Sequence, residues 1–375
     1  MKKIVIVSNT GWYLYNFRFK LIKELSKKYA VTLVFPFDCY SNPLKKTGCE
    51  IINWKLNRNS INPLLEIFSI FDLINIYLKI KPEIAHHFTI KACLYGTIAG
   101  RIVGLKKIFN AITGLGHVFL AKNTNAFIYK IVMVFIYRKV FNHKSSNLIF
   151  QNLEDRKFFQ SLKIITKNKS FLIRGSGVDV NYYKREKEIK KIDLKKTIKI
   201  FFPSRIMKEK GIIELLEACQ SLIDENVDLH LYIPSDLSFH NRSFLSKKEI
   251  NKLKNKSWIK LLGQLSDLKP TYENSNIVIL PSWREGLSMA LLEASAMECS
   301  IITTNVPGCN DVVKHGESGL LVPPHDPVSI KLAILFLINN PVISEKFGKN
   351  ARLSTMKKFN SEIVISQTMS LYENF

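Results

Sequence analysis

Two glutamates in the segment PSWREGLSMALLEASAM, Glu285 and Glu293, stand eight residues apart, one at the mouth of a predicted helix and the other inside its apolar part. With Leu287 to Met297 helical, the positions three and four away from Glu293 hold Met289, Ala290, Ala296 and Met297, so nothing local compensates an ionised carboxylate. Such a group costs several kcal/mol, roughly, unless something polar meets it. A ligand that offers vicinal hydroxyls, such as a ribose, is one partner that fits. Gly286 permits an unusual turn or a close approach, and the N–H groups of Leu287, Ser288 and Met289 are then first-turn donors, a cradle for phosphate. Glu285, beside that cradle, is placed to accept hydrogen bonds from hydroxyls of whatever the phosphate carries. Upstream, SRIMKEKG sets Arg205 and Lys210 five residues apart, with Gly211 opening the next helix. Cations at a helix start oppose its dipole, which makes a bound anion attractive; a diphosphate would take the guanidinium fork, the ammonium charge and the N–H groups together. The plain alternative is a pair of solvated surface cations. Ser204, beside Arg205, and Gly263 in the loop LGQLSD join the candidate donor-binding set.

These loops need a scaffold, and the sequence supplies one. Short β-branched and aromatic runs alternate with longer helical patterns, the signature of parallel sheets with crossover helices. The strand candidates are KIVIVS, AVTLVF, EIINW, EIAHHF, IFNAIT, NLIFQN and FLIR in the first half, then IKIFFP, DLHLYI, WIKLLG, NIVILP, SIITT and GLLV. Residues 181–197 are charged and poor in apolar side chains, as a linker should be. The expected architecture is α/β: two doubly wound, Rossmann-like domains, 1–180 and 198–355, facing a central cleft, with 356–375 a C-terminal helix packing back on the first domain. In such sheets ligands bind outside the carboxyl ends of the strands. The chain has neither G-x-G-x-x-G nor G-x-x-x-x-G-K-[ST], which counts against a plain NAD enzyme or a P-loop NTPase.

Composition agrees with a folded two-domain chain: 375 residues, 46% of them hydrophobic. The formal charge is +24, and its distribution matters more than its sum. Residues 1–180 hold 28 Lys or Arg against 9 Asp or Glu, whereas the remainder holds 27 against 22. An excess confined to one half points to a domain that faces a polyanion, nucleic acid or an anionic membrane surface. The six cysteines form no C-x-x-C pair and no metal knuckle, as for reduced thiols in a cytosolic protein. The start MKKIVIVSNTG has too short an apolar run for a signal peptide and reads as a first strand. LLEIFSIFDLINIYLKI and AFIYKIVMVFIYRKV are interrupted by charges well short of the roughly 20 apolar residues a membrane span needs. Both read as domain helices, with a helix lying on a bilayer as the alternative for the second.

Together, SRIMKEKG, the E-x7-E pair, IITTNVPGCNDVVKHGESGLLVPPHD, HHFTIKACLYGTIAGRIVG, AITGLGHVF, LIFQNLEDRKFF and RGSGVDVNYY resemble the retaining GT-B glycosyltransferases of family four. HHFTIKACLYGTIAGRIVG, AITGLGHVF, LIFQNLEDRKFF and RGSGVDVNYY are similar to a bacterial branch that builds glycans on undecaprenyl diphosphate and includes N-acetylgalactosaminyltransferases. The resemblance extends through nearly the whole chain. It implies that Arg205 and Lys210 bind and neutralise the donor's diphosphate as it leaves, that Glu285 holds the transferred sugar, and that Glu293 holds the ribose. It also implies a UDP-sugar donor and no metal, and the chain lacks the D-x-D of the other large glycosyltransferase fold. One departure stands out: many relatives carry a histidine where AITGLG has Thr113, so that residue's role does not carry over. His117, His86 and His87 are the substitutes at hand, each with a structural reading beside the functional one. The first loop, GWYLYNFRFK, which opens on Gly11, suggests an acceptor site: Trp12, Tyr13 and Tyr15 offer apolar surface with polar tips, while Arg18 and Lys20 are placed to meet a lipid diphosphate. Phe17, Leu21 and Leu25 read as core.

The expected activity is transfer of a hexose or N-acetylhexosamine, best N-acetylgalactosamine, to a polyprenyl-diphosphate-linked saccharide, by an enzyme peripheral on the inner face of the cytoplasmic membrane. A nucleic-acid-binding protein is supported by charge alone, without helix-turn-helix, RRM or zinc signature, so no nucleic-acid partner is expected. A sugar-nucleotide epimerase on the same two-domain fold is the nearer chemical alternative.

Overall fold

Runs such as KIVIVS are apolar at nearly every position because helices cover both faces of the strands they form. The computed structural model describes residues 1–58, 60, 62–114, 124–186, 196–235 and 244–374. Among these, every predicted strand segment contributes one strand: β1 (Lys3–Ser8), β2 (Ala30–Phe35), β3 (Glu50–Asn53), β4 (Ile84–Phe88), β5 (Lys107–Ile112), β6 (Ser146–Phe150), β7 (Ser170–Leu172), β8 (Ile198–Phe201), β9 (Leu229–Ile233), β10 (Ile259–Leu261), β11 (Ile277–Leu280), β12 (Ser300–Thr304) and β13 (Leu320–Val322). The chain divides into two units, Met1–Ser176 with Ser361–Phe375, and Gly177–Asn360.

The first unit is a parallel sheet of order β3-β2-β1-β4-β5-β6-β7. Alternation along β1 builds two cores: Ile4 and Ile6 join Leu21, Ile22, Leu25 and Tyr372, while Val5 and Val7 join Leu73, Tyr77, Ala92 and Ala99. The helix Ser361–Glu373 belongs to this unit, and its Tyr372 hydroxyl bonds His86 Nδ1. A second buried histidine anchors a polar network. His87 Nδ1 donates to Asn110 Oδ1 at 2.7 Å, which leaves Nε2 to accept from the Tyr77 hydroxyl at 2.7 Å. Asn110 is tied further to Thr97 and Ser146. A Cβ at Gly96 would overlap the His87 ring, so glycine is what lets the helix Ile90–Ile102 approach β4 there.

The second unit is a parallel sheet of order β10-β9-β8-β11-β12-β13. Strand order reverses between β8 and β11, as it does between β1 and β4 in the first unit. The crevice for a ligand opens at such a switch point, beyond the strands' carboxyl ends.

Candidate active site

The loops that follow β8 and β11 are the two that flank the second unit's switch point, and they are fastened together. After β8 the chain folds back on itself, Ser204 N–H to Phe202 C=O at 2.9 Å and Met207 N–H to Arg205 C=O at 2.8 Å, before the turn Lys208–Lys210. Gly211, at φ 74°, then opens the helix Ile212–Asp224. After β11 come Pro281 to Ser288 and the helix Met289–Ala296. A backbone bond from Trp283 N–H to Glu209 C=O, 2.9 Å, joins the loops, and Gly211 sits so near Pro281 that a Cβ there would overlap its carbonyl oxygen. The result is an ion pair between the loops: Lys210 Nζ lies 2.5 Å from Glu285 Oε1. Only 12% of the Glu285 side chain and 23% of that of Lys210 is exposed, so the pair is shielded from most solvent screening. Ser282 Oγ donates to the same carboxylate oxygen at 2.8 Å.

A third loop, after β12, braces Glu285 from below. Glu285 N–H donates to Pro307 C=O at 3.2 Å, and Ser288 N–H to Gly308 C=O at 3.3 Å. Gly308 is left-handed, and a Cβ there would fall 2.5 Å from the Glu285 carbonyl oxygen. The left-handed glycines of these loops are therefore Gly211 and Gly308 rather than Gly286. The helix begins later than the sequence suggests. Ser288 is its N-cap and accepts from Leu291 N–H at 3.4 Å, so the first-turn donors are Met289 and Ala290, and the Ser288 N–H is committed to Gly308. Leu287 is buried.

Arg205 lies on the Lys210 loop, exposed, with its guanidinium carbon 5.8 Å from the centre of the Phe244 ring. Gly263 and Ser235 exchange two bonds, Gly263 N–H to Ser235 Oγ at 3.1 Å and Ser235 N–H to Gly263 C=O at 2.9 Å, joining the loops after β9 and β10.

Glu293 has protein partners that a helical wheel does not reveal. The Tyr272 hydroxyl lies 3.1 Å from Glu293 Oε2 and 3.0 Å from the Ala290 carbonyl, and Tyr183 bonds the same carboxyl. Burial raises the Glu293 pKa from 4.5 to about 7 against the opposing effect of those hydroxyls. Near neutral pH the side chain therefore exchanges between an acid that donates to Tyr272 and a carboxylate that accepts from it. A carboxyl whose pKa is higher folded than unfolded favours folding below the unfolded value, about 4.5, and loses that advantage as pH rises towards 7. Glu293→Gln is thus expected to gain stability relative to the parent protein between pH 5 and 7.5, by up to about 3 kcal/mol. Thermal unfolding of both proteins across that range checks this, and a difference independent of pH refutes it.

Sequence reasoning did not single out a further cluster beside Glu285. Glu214, in the first turn after Gly211, accepts from Trp283 Nε1–H at 2.9 Å and lies 3.1 Å from His325 Nδ1; the Trp283 and His325 rings are 4.4 Å apart. This clamp holds the indole two residues before Glu285. The readable signal is a carboxylate three residues after a helix-opening glycine.

In the first unit several expectations change. Arg18 is 5% exposed: it donates to the Gly175 carbonyl at 3.0 Å and to the Tyr13 hydroxyl at 3.1 Å, and stacks on Phe88. The cause is a π-helical turn, Leu14–Arg18, which shifts the register so that Leu14 and Arg18 face inward while Phe17 is only half-buried. A guanidinium so engaged is not presented to a lipid diphosphate. His86 is also interior, bonded to Tyr372, and burial together with the nearby Arg18 charge holds its pKa well below the usual imidazole value. It is a neutral core histidine rather than an acceptor contact, and His87, pushed down to about 4 by burial, is another. Gly11 is required by Asp38, whose Oδ1 would lie 2.5 Å from a Cβ there and whose Oδ2 accepts from Trp12 N–H at 3.1 Å. Trp12 is exposed and Thr113 half-buried, while His117 lies outside the described residues. Among the described residues no group of three or more His, Cys, Asp or Glu side chains could hold a metal ion, and no single helix is long and apolar enough to cross a membrane.

Residues 184–354 match the family described as glycosyl transferases group 1, and residues 3–152 match the glycosyl transferase 4-like family. Between them the two glycosyl transferase models span most of the chain, which is a glycosyltransferase. The enzyme is 23% identical over 381 residues to the N,N'-diacetylbacillosaminyl-diphospho-undecaprenol alpha-1,3-N-acetylgalactosaminyltransferase of Campylobacter jejuni, covering 99% of this chain and 98% of that one. It is 24% identical over 321 residues to the UDP-Gal:alpha-D-GlcNAc-diphosphoundecaprenol alpha-1,3-galactosyltransferase of Escherichia coli, covering 84% and 81%. Its fold is GT-B. The Anabaena protein Alr3699/HepE, solved in complex with UDP and glucose, superposes with a TM-score of 0.82 over 100% of both chains at 15% identity.

Proposed function

We propose that the glycosyltransferase moves a hexose or N-acetylhexosamine, with N-acetylgalactosamine first among them, from a UDP-sugar to a hydroxyl of a polyprenyl-diphosphate-linked saccharide at the inner face of the cytoplasmic membrane. The observation that supports this reading is the Lys210–Glu285 pair, an ammonium and a carboxylate 2.5 Å apart on the two loops that flank the second unit's switch point. The names of the Campylobacter and Escherichia relatives, both acting on undecaprenyl-diphosphate-linked sugars, support the acceptor class. Lys210 and Arg205 neutralise the diphosphate, with the donors of the Met289 helix completing its cradle. Glu285 takes hydroxyls of the transferred sugar and Glu293 those of the ribose. The bond between the sugar's anomeric carbon and the diphosphate oxygen breaks, and the acceptor oxygen bonds that carbon on the same face. The acceptor's proton passes to the departing phosphate oxygen, so configuration is retained without a protein nucleophile. Two side-chain cations do the charge neutralisation that a divalent metal performs elsewhere, and none is required.

The test is incubation with a panel of UDP-sugars and a short prenyl-diphosphate glycan, read by mass spectrometry and proton NMR of the new linkage, with and without EDTA. Transfer from one or two UDP-sugars with an axial linkage, unaffected by EDTA, is expected. Interconversion of UDP-sugars without acceptor would instead reveal an epimerase.

A further inference from the structure

In the first unit the helices Pro63–Ile80 and Thr124–Phe141 both pack on Ile90–Ile102, on one face of the sheet. Each buries one side and leaves a second apolar side uncovered. On the first helix Ser69, Leu73, Ile76 and Tyr77 point inward, yet Leu64, Phe68 and Phe71, at i, i+4 and i+7, are 66%, 69% and 59% exposed. On the second, Tyr137, Val140 and Phe141 are buried while Ile131, Val132 and Phe135 are 55%, 48% and 60% exposed. Solvated helices do not ordinarily carry rings and branched aliphatic groups on their outer side in such a series.

Charge decides what covers them. From Ile84 to Leu153 the chain holds nine Lys or Arg and no Asp or Glu, and the helix Thr124–Phe141 carries only Lys130, Arg138 and Lys139. The Lys139 ammonium lies 5.7 Å from the Phe135 ring centre, its stem along the apolar surface and its charge at the rim. The two acids of the first helix are committed, Glu66 to Lys91 at 2.7 Å and Asp72 to the Lys55 N–H at 2.9 Å, so a second copy of the chain would bring a mainly basic surface against itself, and like charges oppose that contact. Nucleic acid would satisfy the cations but leave Leu64, Phe68 and Phe135 in water. An anionic bilayer satisfies both, taking side chains among its acyl chains and cations among its headgroups.

We propose that this two-helix face is where the glycosyltransferase seats itself on an anionic lipid bilayer, with Leu64, Phe68, Phe71, Ile131, Val132 and Phe135 entering the interface and the basic rim meeting lipid phosphates. Neither helix spans the membrane. The inference deepens the functional reading, since a lipid-linked acceptor is carried by a bilayer, but it is tested with no acceptor or donor present.

The full chain is sedimented with vesicles of phosphatidylcholine alone and with vesicles containing a third phosphatidylglycerol. Binding to the anionic vesicles is expected, at least tenfold weaker without the anionic lipid. It should fall at least a further tenfold in Phe68→Ser/Phe71→Ser and in Phe135→Ser, variants of exposed side chains checked for unchanged thermal unfolding. Brominated acyl chains should quench the fluorescence of a tryptophan introduced at Phe68 and not of one introduced at the exposed Leu353. Unchanged binding by the serine variants would overturn the proposal, as would salt-sensitive binding without quenching, or self-association in the absence of lipid that the serine variants abolish. The functional reading is scored separately: serine variants transfer sugar to a soluble short-prenyl acceptor as the parent does, and a parent that binds vesicles without transferring sugar refutes the activity and leaves the docking face intact.

Discussion

Lys210→Ala is expected to lower sugar transfer by about 10²–10³-fold, the cost typical of removing one preorganised group from a developing charge. Two losses combine. The departing diphosphate loses an ammonium, and Glu285, half-buried with its Oε1 held by Lys210 at 2.5 Å and Ser282 at 2.8 Å, loses the cation that faces it. Lys210→Arg does not restore the rate, because a planar fork does not reproduce a point charge in that short contact. Since the two residues act as a unit, Lys210→Ala/Glu285→Ala should lose little beyond the worse single variant. Steady-state transfer assays, with thermal unfolding as the check on folding, measure both points. A single Lys210→Ala variant within twofold of the parent rate, or strictly multiplicative losses in the double variant, refutes the shared role.

Gly211→Ala attacks the same site through the backbone. At φ 74° an L-residue pays about 1–2 kcal/mol for a left-handed conformation. The added methyl also meets the Pro281 carbonyl, an atom that cannot rotate away, and overpacking of this kind costs about 1–3 kcal/mol more. A loss of about 3 kcal/mol, some 6–12 °C in the melting transition of a unit this size, is expected, with transfer falling further because Lys210 moves away from Glu285. Gly263→Ala is the control: it shares a positive φ, 70°, but its Cβ would meet nothing within 4 Å. If both substitutions shift the transition equally, backbone strain rather than the loop-to-loop approach accounts for the effect.

Much of the scaffold is legible in the sequence for a physical reason. Parallel strands covered on both faces must be apolar almost throughout, so IVIV, TLVF and IVIL announce themselves without any partner being known. The loops that bear Lys210 and Glu285 follow from the strands, because the doubly wound order leaves few places for a ligand. What the sequence hides is register and reach. A π-helical turn moves Arg18 from the predicted surface into the core, and no periodicity shows it. The partners of Glu293 come from Tyr272 and Tyr183, far along the chain, so the local wheel leaves the carboxylate apparently stranded. Gly211 and Gly308 read as ordinary turn residues until Pro281 and Glu285 are seen against them. The outer stripes of Pro63–Ile80 and Thr124–Phe141 are indistinguishable from core on composition alone, since both sides of each helix are apolar.

Lys210 and Glu285 serve as one another's counterion, and that mutual neutralisation bears on ligand discrimination. An anion that draws the ammonium away strands a shielded carboxylate unless it supplies a replacement donor. On the proposed reading the transferred sugar brings such hydroxyls to Glu285, and the spent nucleotide has lost that sugar. On that reading, uptake is a swap of partners that favours the loaded donor over the spent nucleotide.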